Sequence, residues 1–112
     1  MSKKIKEYVV NINKTVKNDL REIINYISKE NPVNALNVLK RIEDRINSLK
    51  HFPERGGYVS ELLKNNIKDY RQITESPWRI IYRIDNDIVY VLLIIDSRRN
   101  TQDILVEKLI NK

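Results

Sequence analysis

Residues 78–100 read WRIIYRIDNDIVYVLLIIDSRRN, and the rest of the chain is arranged around them. The pattern predicts two strands, Trp78–Ile84 and Ile88–Ile95, joined by a tight Asp85-Asn86-Asp87 turn. The second strand carries eight consecutive apolar residues, so both of its faces must be covered, which marks a central strand. The first strand sets Arg79 and Arg83 on one face with Ile81, placing charge beside a buried strand. If the turn holds three residues, Ile84 pairs with Ile88. Ile80, Tyr82, Ile84, Tyr90, Leu92 and Ile94 then share one face, while Val89, Val91, Leu93 and Ile95 join Arg79, Ile81 and Arg83 on the other. A two-residue turn would shift that register.

Before this pair, Tyr70–Glu75 reads as a third strand, closed by a Ser76-Pro77 turn. Tight turns make the three strands an antiparallel meander. Near the N-terminus Tyr8-Val9-Val10-Asn11-Ile12 is a short β-type run that must pair at a sheet edge or beside the last strand. Asn13 or Thr15 then caps an amphipathic helix whose stripe is Val16, Leu20, Ile23, Ile24 and Ile27. Asn31-Pro32 breaks and restarts the chain, with asparagine suited to the cap and proline to the first helical position. A second stripe follows at Ala35, Leu36, Leu39, Ile42, Ile46 and Leu49, and His51-Phe52-Pro53 ends that helix. Two such helices with a short connection form an αα-hairpin whose apolar side needs a sheet. Gly56-Gly57 suggests a flexible or positive-φ bend, and residues 58–67 read equally as a short helix or a loop. Asn100, with Asp103 three residues on, starts a short C-terminal helix carrying Ile104, Leu105 and Leu109. The expectation is one domain over residues 1–112. It is an α+β two-layer fold, with an N-terminal strand and αα-hairpin packed on an antiparallel β-sheet and a short C-terminal helix.

Composition narrows the chemistry. The chain has 112 residues, enough for one modest core, and its 41% hydrophobic content argues against disorder. A net charge of +6 favours anionic partners, either nucleic acid or an acidic protein. No cysteine is present, which excludes disulfides and thiolate metal sites and fits a reducing, cytoplasmic location. The single His51 argues against a histidine metal cluster or a Ser-His-Asp triad. MSKKIKEYVV has too short an apolar run for a signal peptide, and no segment is apolar over the length of a membrane span. Lys3, Lys4 and Lys6 read as a solvated arm.

The ordered set Tyr8-Val9-Val10, Asp19-Leu20, Ile23, Tyr26-Ile27, Ala35, Ile42, Ile46, Leu49, Pro53 and Gly56 resembles the start of the RelE/ParE superfamily of toxins. Arg71, Trp78–Ile84 and Ile94-Ile95-Asp96-Ser97-Arg98-Arg99 resemble that family's sheet and its closing basic motif. The resemblance implies a cytoplasmic toxin from a type II toxin–antitoxin module, of the kind linked to plasmid stabilisation. A cognate antitoxin would neutralise it in a hetero-oligomer, and no cofactor or metal would be needed. It also implies one of two targets. RelE-like members are ribosome-dependent endoribonucleases that cut mRNA, and ParE-like members are associated with inhibition of DNA gyrase.

Metal-free RNA cleavage needs a base, a cation for the transition state and an acid for the leaving oxygen. By resemblance Arg79 and Arg98 stand where phosphate contacts are made, with Glu75 available as base and Tyr82 or Tyr90 as acid. Tyr70 and Gln72 stand where RelE-like enzymes carry lysines, Asp96 where many relatives have histidine, and no tyrosine or histidine lies near the C-terminus. The strongly amphipathic helix pair and Tyr26-Ile27 look closer to ParE, so gyrase is the expected target and no residue is assigned as catalytic. Arg71, Arg79, Arg83, Arg98 and Arg99 form the expected partner or nucleic-acid surface. Plainer roles exist for the same residues. Arg79 and Arg83 could pair with Glu75, Asp85 or Asp87, and Arg98-Arg99 could be a solvated loop. A non-toxic relative using an apolar strip rimmed by arginines to bind an acidic peptide is the remaining alternative.

Overall fold

The computed structural model describes residues 6–111, so Lys3 and Lys4 of the expected arm lie outside the described residues. Lys6 is tied down: its Nζ lies 2.7 Å from Asp87 and 4.9 Å from the centre of the Tyr8 ring. Among the described residues five strands form one sheet: β1 (Val9–Ile12), β2 (Gly57–Tyr58), β3 (Arg71–Glu75), β4 (Trp78–Asp85) and β5 (Ile88–Asp96). Their order is β1-β5-β4-β3-β2. The expected meander is antiparallel, and β1 adds a parallel pairing with β5, so the sheet is mixed. The N-terminal strand is thus both at an edge and beside the last strand.

The register corrects the three-residue turn. Asp85 pairs with Ile88, leaving a two-residue Asn86-Asp87 turn with Asn86 at φ 53°. That conformation suits asparagine, which tolerates the left-handed region in hairpin turns. A second irregularity follows: Tyr82 pairs with Val91 but Ile81 with Leu93, so Leu92 is an extra residue in β5. The two shifts of one residue offset each other along the strand. Val89 and Val91 therefore sit with Ile80 and Tyr82, not with Arg79 and Ile81, while Ile94 and Ile95 keep the faces expected of them. Tyr90 and Leu92 leave the Ile80–Tyr82 face for the same reason.

Helices α1 (Lys14–Ser28) and α2 (Pro32–Asn47) cover the Ile80–Tyr82 face. Asn13 accepts the Thr15 amide at 2.9 Å and Asn31 the Asn34 amide at 3.0 Å, satisfying donors that have no partner inside the helix. Val16, Val38, Ile42, Ile46 and Leu49 pack there against Ile73, Ile80, Tyr82, Val89, Val91 and Ile94. In α2 the buried stripe is Ala35, Val38, Ile42 and Ile46, and Leu36 is 67% exposed instead of joining it. Adjacent positions on a helix are about 100° apart, so Leu36 cannot share the line that Ala35 begins.

The segment after α2 makes two 3₁₀ turns, Ser48–Lys50 and Pro53–Arg55, before β2. Gly56 has φ −79°, so it needs no left-handed freedom. Space is what demands glycine there, because a Cβ would strike the Gln72 carbonyl oxygen and lie 2.5 Å from the Tyr82 hydroxyl. Residues 58–67 contain both readings offered for them: one helical turn, α3 (Ser60–Leu63), and then a loop. Val59 and Leu62 are buried against Ile81, Leu93 and Ile95. The C-terminal helix α4 (Thr101–Leu105) continues as a wider π turn over Val106–Ile110 and adds Leu105 and Leu109 to the same cluster. Asn100 caps it, accepting the Asp103 amide at 3.3 Å and donating to the Asp103 carboxylate at 2.9 Å. Among the described residues no helix is long and apolar enough to cross a membrane.

Candidate functional site

Arg79 points from β4 to the face covered by α3 and α4, where it is held from three sides. Its two terminal nitrogens donate to Glu61 of α3 at 2.6 and 2.8 Å, and its Nε donates to the Gln72 amide oxygen at 2.7 Å. One of those terminal nitrogens also reaches Gln72. Thr101, at the start of α4, donates to the same Glu61 carboxylate at 2.6 Å. The Arg79 and Glu61 side chains are only 11% and 15% exposed. The Arg79 hydrogen bonds, helped by Thr101, hold the Glu61 carboxyl down at about 2, against the cost of burial. With Gln72 and Thr101, the forked pair joins four elements, β3, β4, α3 and α4, on one face of the sheet.

The other residues expected at a nuclease site stand apart from this cluster. Glu75 is on the opposite face, where Arg41 and Arg45 of α2 each donate to it through Nε at 3.3 Å. The Tyr82 hydroxyl is buried among the 3₁₀ turns, donating to the Pro53 carbonyl at 2.5 Å and accepting the Gly56 amide at 3.1 Å. Burial pushes that phenol up from its ordinary value. Arg98, beyond β5, closes on Asp96 with contacts of 2.9 and 2.6 Å, and this pairing holds the Asp96 carboxyl down at about 2.

The remaining basic residues divide between the faces as well. Arg71 lies on β3, beside the short edge strand β2 and on the Tyr82 side, donating to the Gly56 carbonyl at 2.8 Å and sitting 4.6 Å from the Tyr58 ring centre. Arg83 shares the Arg79 face and lies 5.2 Å from the ring centre of Tyr90 across the strand pair. Neither Arg79 nor Arg83 forms an ion pair with Glu75, Asp85 or Asp87. Arg99 is exposed at the mouth of a cleft beside β5. Among the described residues no group of three or more His, Cys, Asp or Glu side chains could hold a metal ion.

Two adjoining clefts open at the β5 end of the sheet. One, of about 490 Å³, is lined by Ile23, Tyr26 and Ile27 of α1 together with Pro77, Trp78 and the Asp96–Arg98 pair. The other, of about 570 Å³, lies between α1 and α4 and has Leu93–Asp96 along its floor. They share Glu22, Ile23, Trp78 and Asp96. Tyr26 is 73% exposed at this rim, unusual for so large a ring.

Comparison with known proteins places this geometry. Residues 10–101 match the family model described as the ParE toxin of the type II toxin–antitoxin system parDE. The chain belongs to the ParE toxin family. A curated relative, Toxin ParE3 from Caulobacter vibrioides, is 30% identical over 86 residues, covering 76% of this chain and 82% of that protein. The fold is also that of the chromosomal ParDE toxin–antitoxin system from P. aeruginosa, with a TM-score of 0.66 and 16% identity, covering 81% of this chain and 97% of that one. The toxin–antitoxin complex RelBE2 from Mycobacterium tuberculosis matches with a lower TM-score of 0.53 and 22% identity, covering 80% of this chain and 98% of that one. The expected superfamily and α+β fold both hold.

Within this ParE-family fold, sequence reasoning found Arg79 but missed what holds it. Gln72 was open to inference, because antiparallel pairing of β3 with β4 sets it diagonal to Arg79 on one face. Glu61 and Thr101 arrive from a short helix and a helix start with no local sequence link to Arg79, and no pattern pointed to them. Arg41 and Arg45 were legible only as the polar side of α2.

Proposed function

We propose that this ParE-family toxin arrests growth by inhibiting DNA gyrase, and that a cognate antitoxin neutralises it by binding. The observation that carries the choice of target is the separation of the nuclease candidates. Arg79 and Glu75 lie on opposite faces of the sheet, each already engaged by oppositely charged partners. The Tyr82 hydroxyl is buried and committed to the backbone of residues 53 and 56. In-line attack by a 2′-hydroxyl needs a base, an acid and a cation around one phosphate, within hydrogen-bond reach of it. A protein–protein target makes no such demand and instead uses surface shape and charge. The antitoxin is supported by the two structural relatives, one described as a ParDE toxin–antitoxin system and the other as a RelBE2 complex. A cytoplasmic location follows from a gyrase target.

The test is a supercoiling assay beside an mRNA cleavage assay on translating ribosomes, both with the purified chain. The expected result is loss of gyrase supercoiling with mRNA left intact. Ribosome-dependent cleavage abolished by Arg98→Ala would overturn the gyrase reading in favour of the ribonuclease.

A further inference from the structure

Helix α1 carries its charges in two separate stripes. Asp19 and Glu22 face the cleft beside β5. Lys14, Lys17 and Arg21 lie on the other flank, at the spacing of one helical stripe, and span about 10 Å along the axis. All three are exposed, and among the described residues none of them forms an ion pair. No acid stands three or four residues from any of them, and Lys17 and Arg21, four apart, repel each other. Lys14 and Lys17 also occupy the first turn, which holds no acid, where the helix macrodipole disfavours cations. The stripe thus works against the stability of its own helix, and no ion pair among the described residues offsets it. Beside it runs an apolar furrow of about 250 Å³ between α1 and α2, lined by Leu20, Ile24 and Leu39, with Lys17, Arg21 and Asn25 along one lip. Leu36, one turn before Leu39 on α2, carries that apolar line toward the helix connection and is 67% exposed. Val33, one turn further, is 70% exposed.

We infer that this outer face of the αα-hairpin is where the toxin engages its target protein, and that the target presents an amphipathic helix with an acidic flank. The inference rests on the gyrase reading above and names the toxin surface and the chemistry of the segment it takes. Charge complementarity selects the occupant. An uncompensated row of cations beside an apolar furrow fits a segment that is apolar on one side and carries carboxylates on the adjoining side. In a helix those sides recur at three- and four-residue spacing. Leu20, Ile24, Leu39 and Leu36 then meet its apolar positions, while Lys17 and Arg21 meet Asp or Glu side chains one turn apart. Nucleic acid would use the cations but leave the Leu36 and Val33 side chains in water. A second copy of this chain pairing face to face about a twofold axis would bring the two basic stripes together.

Supercoiling assays and binding to purified gyrase test this with the full chain. Joint Lys14→Glu and Lys17→Glu substitution is expected to weaken both inhibition and binding by roughly tenfold or more. The same pair should raise the thermal midpoint, because it puts acids in the first turn of α1 and one of them four residues before Arg21. Lost inhibition with gained stability separates a docking role from a structural one. Leu36→Asn should weaken inhibition about fivefold with the midpoint unchanged. Joint Lys64→Glu and Lys68→Glu, an equal charge change in the loop after α3, should leave inhibition as it was. Equal inhibition by the wild type and the Lys14 and Lys17 double variant overturns the surface while leaving the gyrase reading intact. Equal losses from the two charge variants make net charge the cause and overturn it too. A loss confined to binding of a bare duplex oligonucleotide, with gyrase binding retained, makes nucleic acid the occupant and overturns it as well. If the wild-type toxin leaves supercoiling untouched, the gyrase reading itself fails, and the surface loses its assigned partner with it.

Discussion

On one face of the sheet α1 and α2 lay two apolar stripes over Ile73, Ile80, Tyr82, Val89, Val91 and Ile94, and the ion pairs from α2 to Glu75 lie at its margin. On the other, a single turn of α3 and the short α4 cover Ile81, Leu93 and Ile95, with Arg79, Glu61, Gln72 and Thr101 drawn in between the helices and the strands. The difference follows from helix length. Two helices of about four turns each bury enough apolar area to hold themselves in place, at roughly 25 cal/mol per Å². Helices of one or two turns do not, and polar contacts at their ends fix where they sit. In one ParE-family chain, the first face is closed by burial and the second by a clasp.

The hairpin face should show the largest response to truncation. Ile42 is wholly buried there, and Ile42→Ala is expected to cost about 4 kcal/mol in urea unfolding, a large share of the stability of a domain this size. Leu105, equally buried under α4, should cost about 2 kcal/mol on truncation, because a terminal helix can settle into the space. Equal losses at the two positions would break the distinction between the faces.

The clasp comes next. Glu61→Gln leaves the Arg79 guanidinium sheltered without its counter-charge, at an expected cost of about 3 kcal/mol. Adding Arg79→Met should restore part of that loss, so a double-mutant cycle gives a coupling well above that of an exposed pair. Acid titration reads the same contact. Glu61 has its pKa lowered from 4.5 to about 2 in the folded chain, so the unfolded chain binds the proton more readily. Its contribution is complete above about pH 5 and is lost as pH falls toward 2. The wild-type and Glu61→Gln stabilities should therefore converge across that window. A constant gap down to pH 2 would mean that the pair does not stabilise through its charge.

Tyr82 tests how strictly the hairpin face excludes polar chemistry. Its ring is core, but its hydroxyl joins the Pro53 carbonyl to the Gly56 amide. Tyr82→Phe keeps the packing, leaves both backbone groups without this partner and is expected to cost about 1.5 kcal/mol. The loss should be independent of pH between 3 and 8, in contrast to Glu61→Gln.

Most of the framework was legible because it is written in local periodicity. Helical stripes, the Asn13 and Asn31 caps, the Asn86 turn and the continuous apolar β5 each declare themselves within a few residues. The register was not, because the turn holds two residues where three were expected, and the extra residue at Leu92 then interrupts a run of apolar side chains that looks the same in either phase. The clasp was less legible still. Arg79 stood out as a charge on a buried strand, but Glu61, which pairs with it, and Thr101, which bonds Glu61, are brought to it only by the finished fold. How much of β5 has a second neighbour depends on where β1 ends. Tyr8–Ile12 announced a strand, but nothing in it set how far along β5 it would pair.

The smallest expected effect lies at the exposed end of the clasp face. Arg83 shares that face with Arg79, yet its structural contact is the Tyr90 ring at 5.2 Å, with no carboxylate in an ion pair. A half-exposed cation over an aromatic ring contributes about 0.5 kcal/mol, so Arg83→Ala should barely move the urea midpoint. The same substitution should leave the acid profile unchanged, since no depressed carboxylate depends on it. A loss of 2 kcal/mol or more would show that the second face is held by charge along its whole length. The clasp would then be a property of β4 as a strand, not of the short helices that close over Arg79.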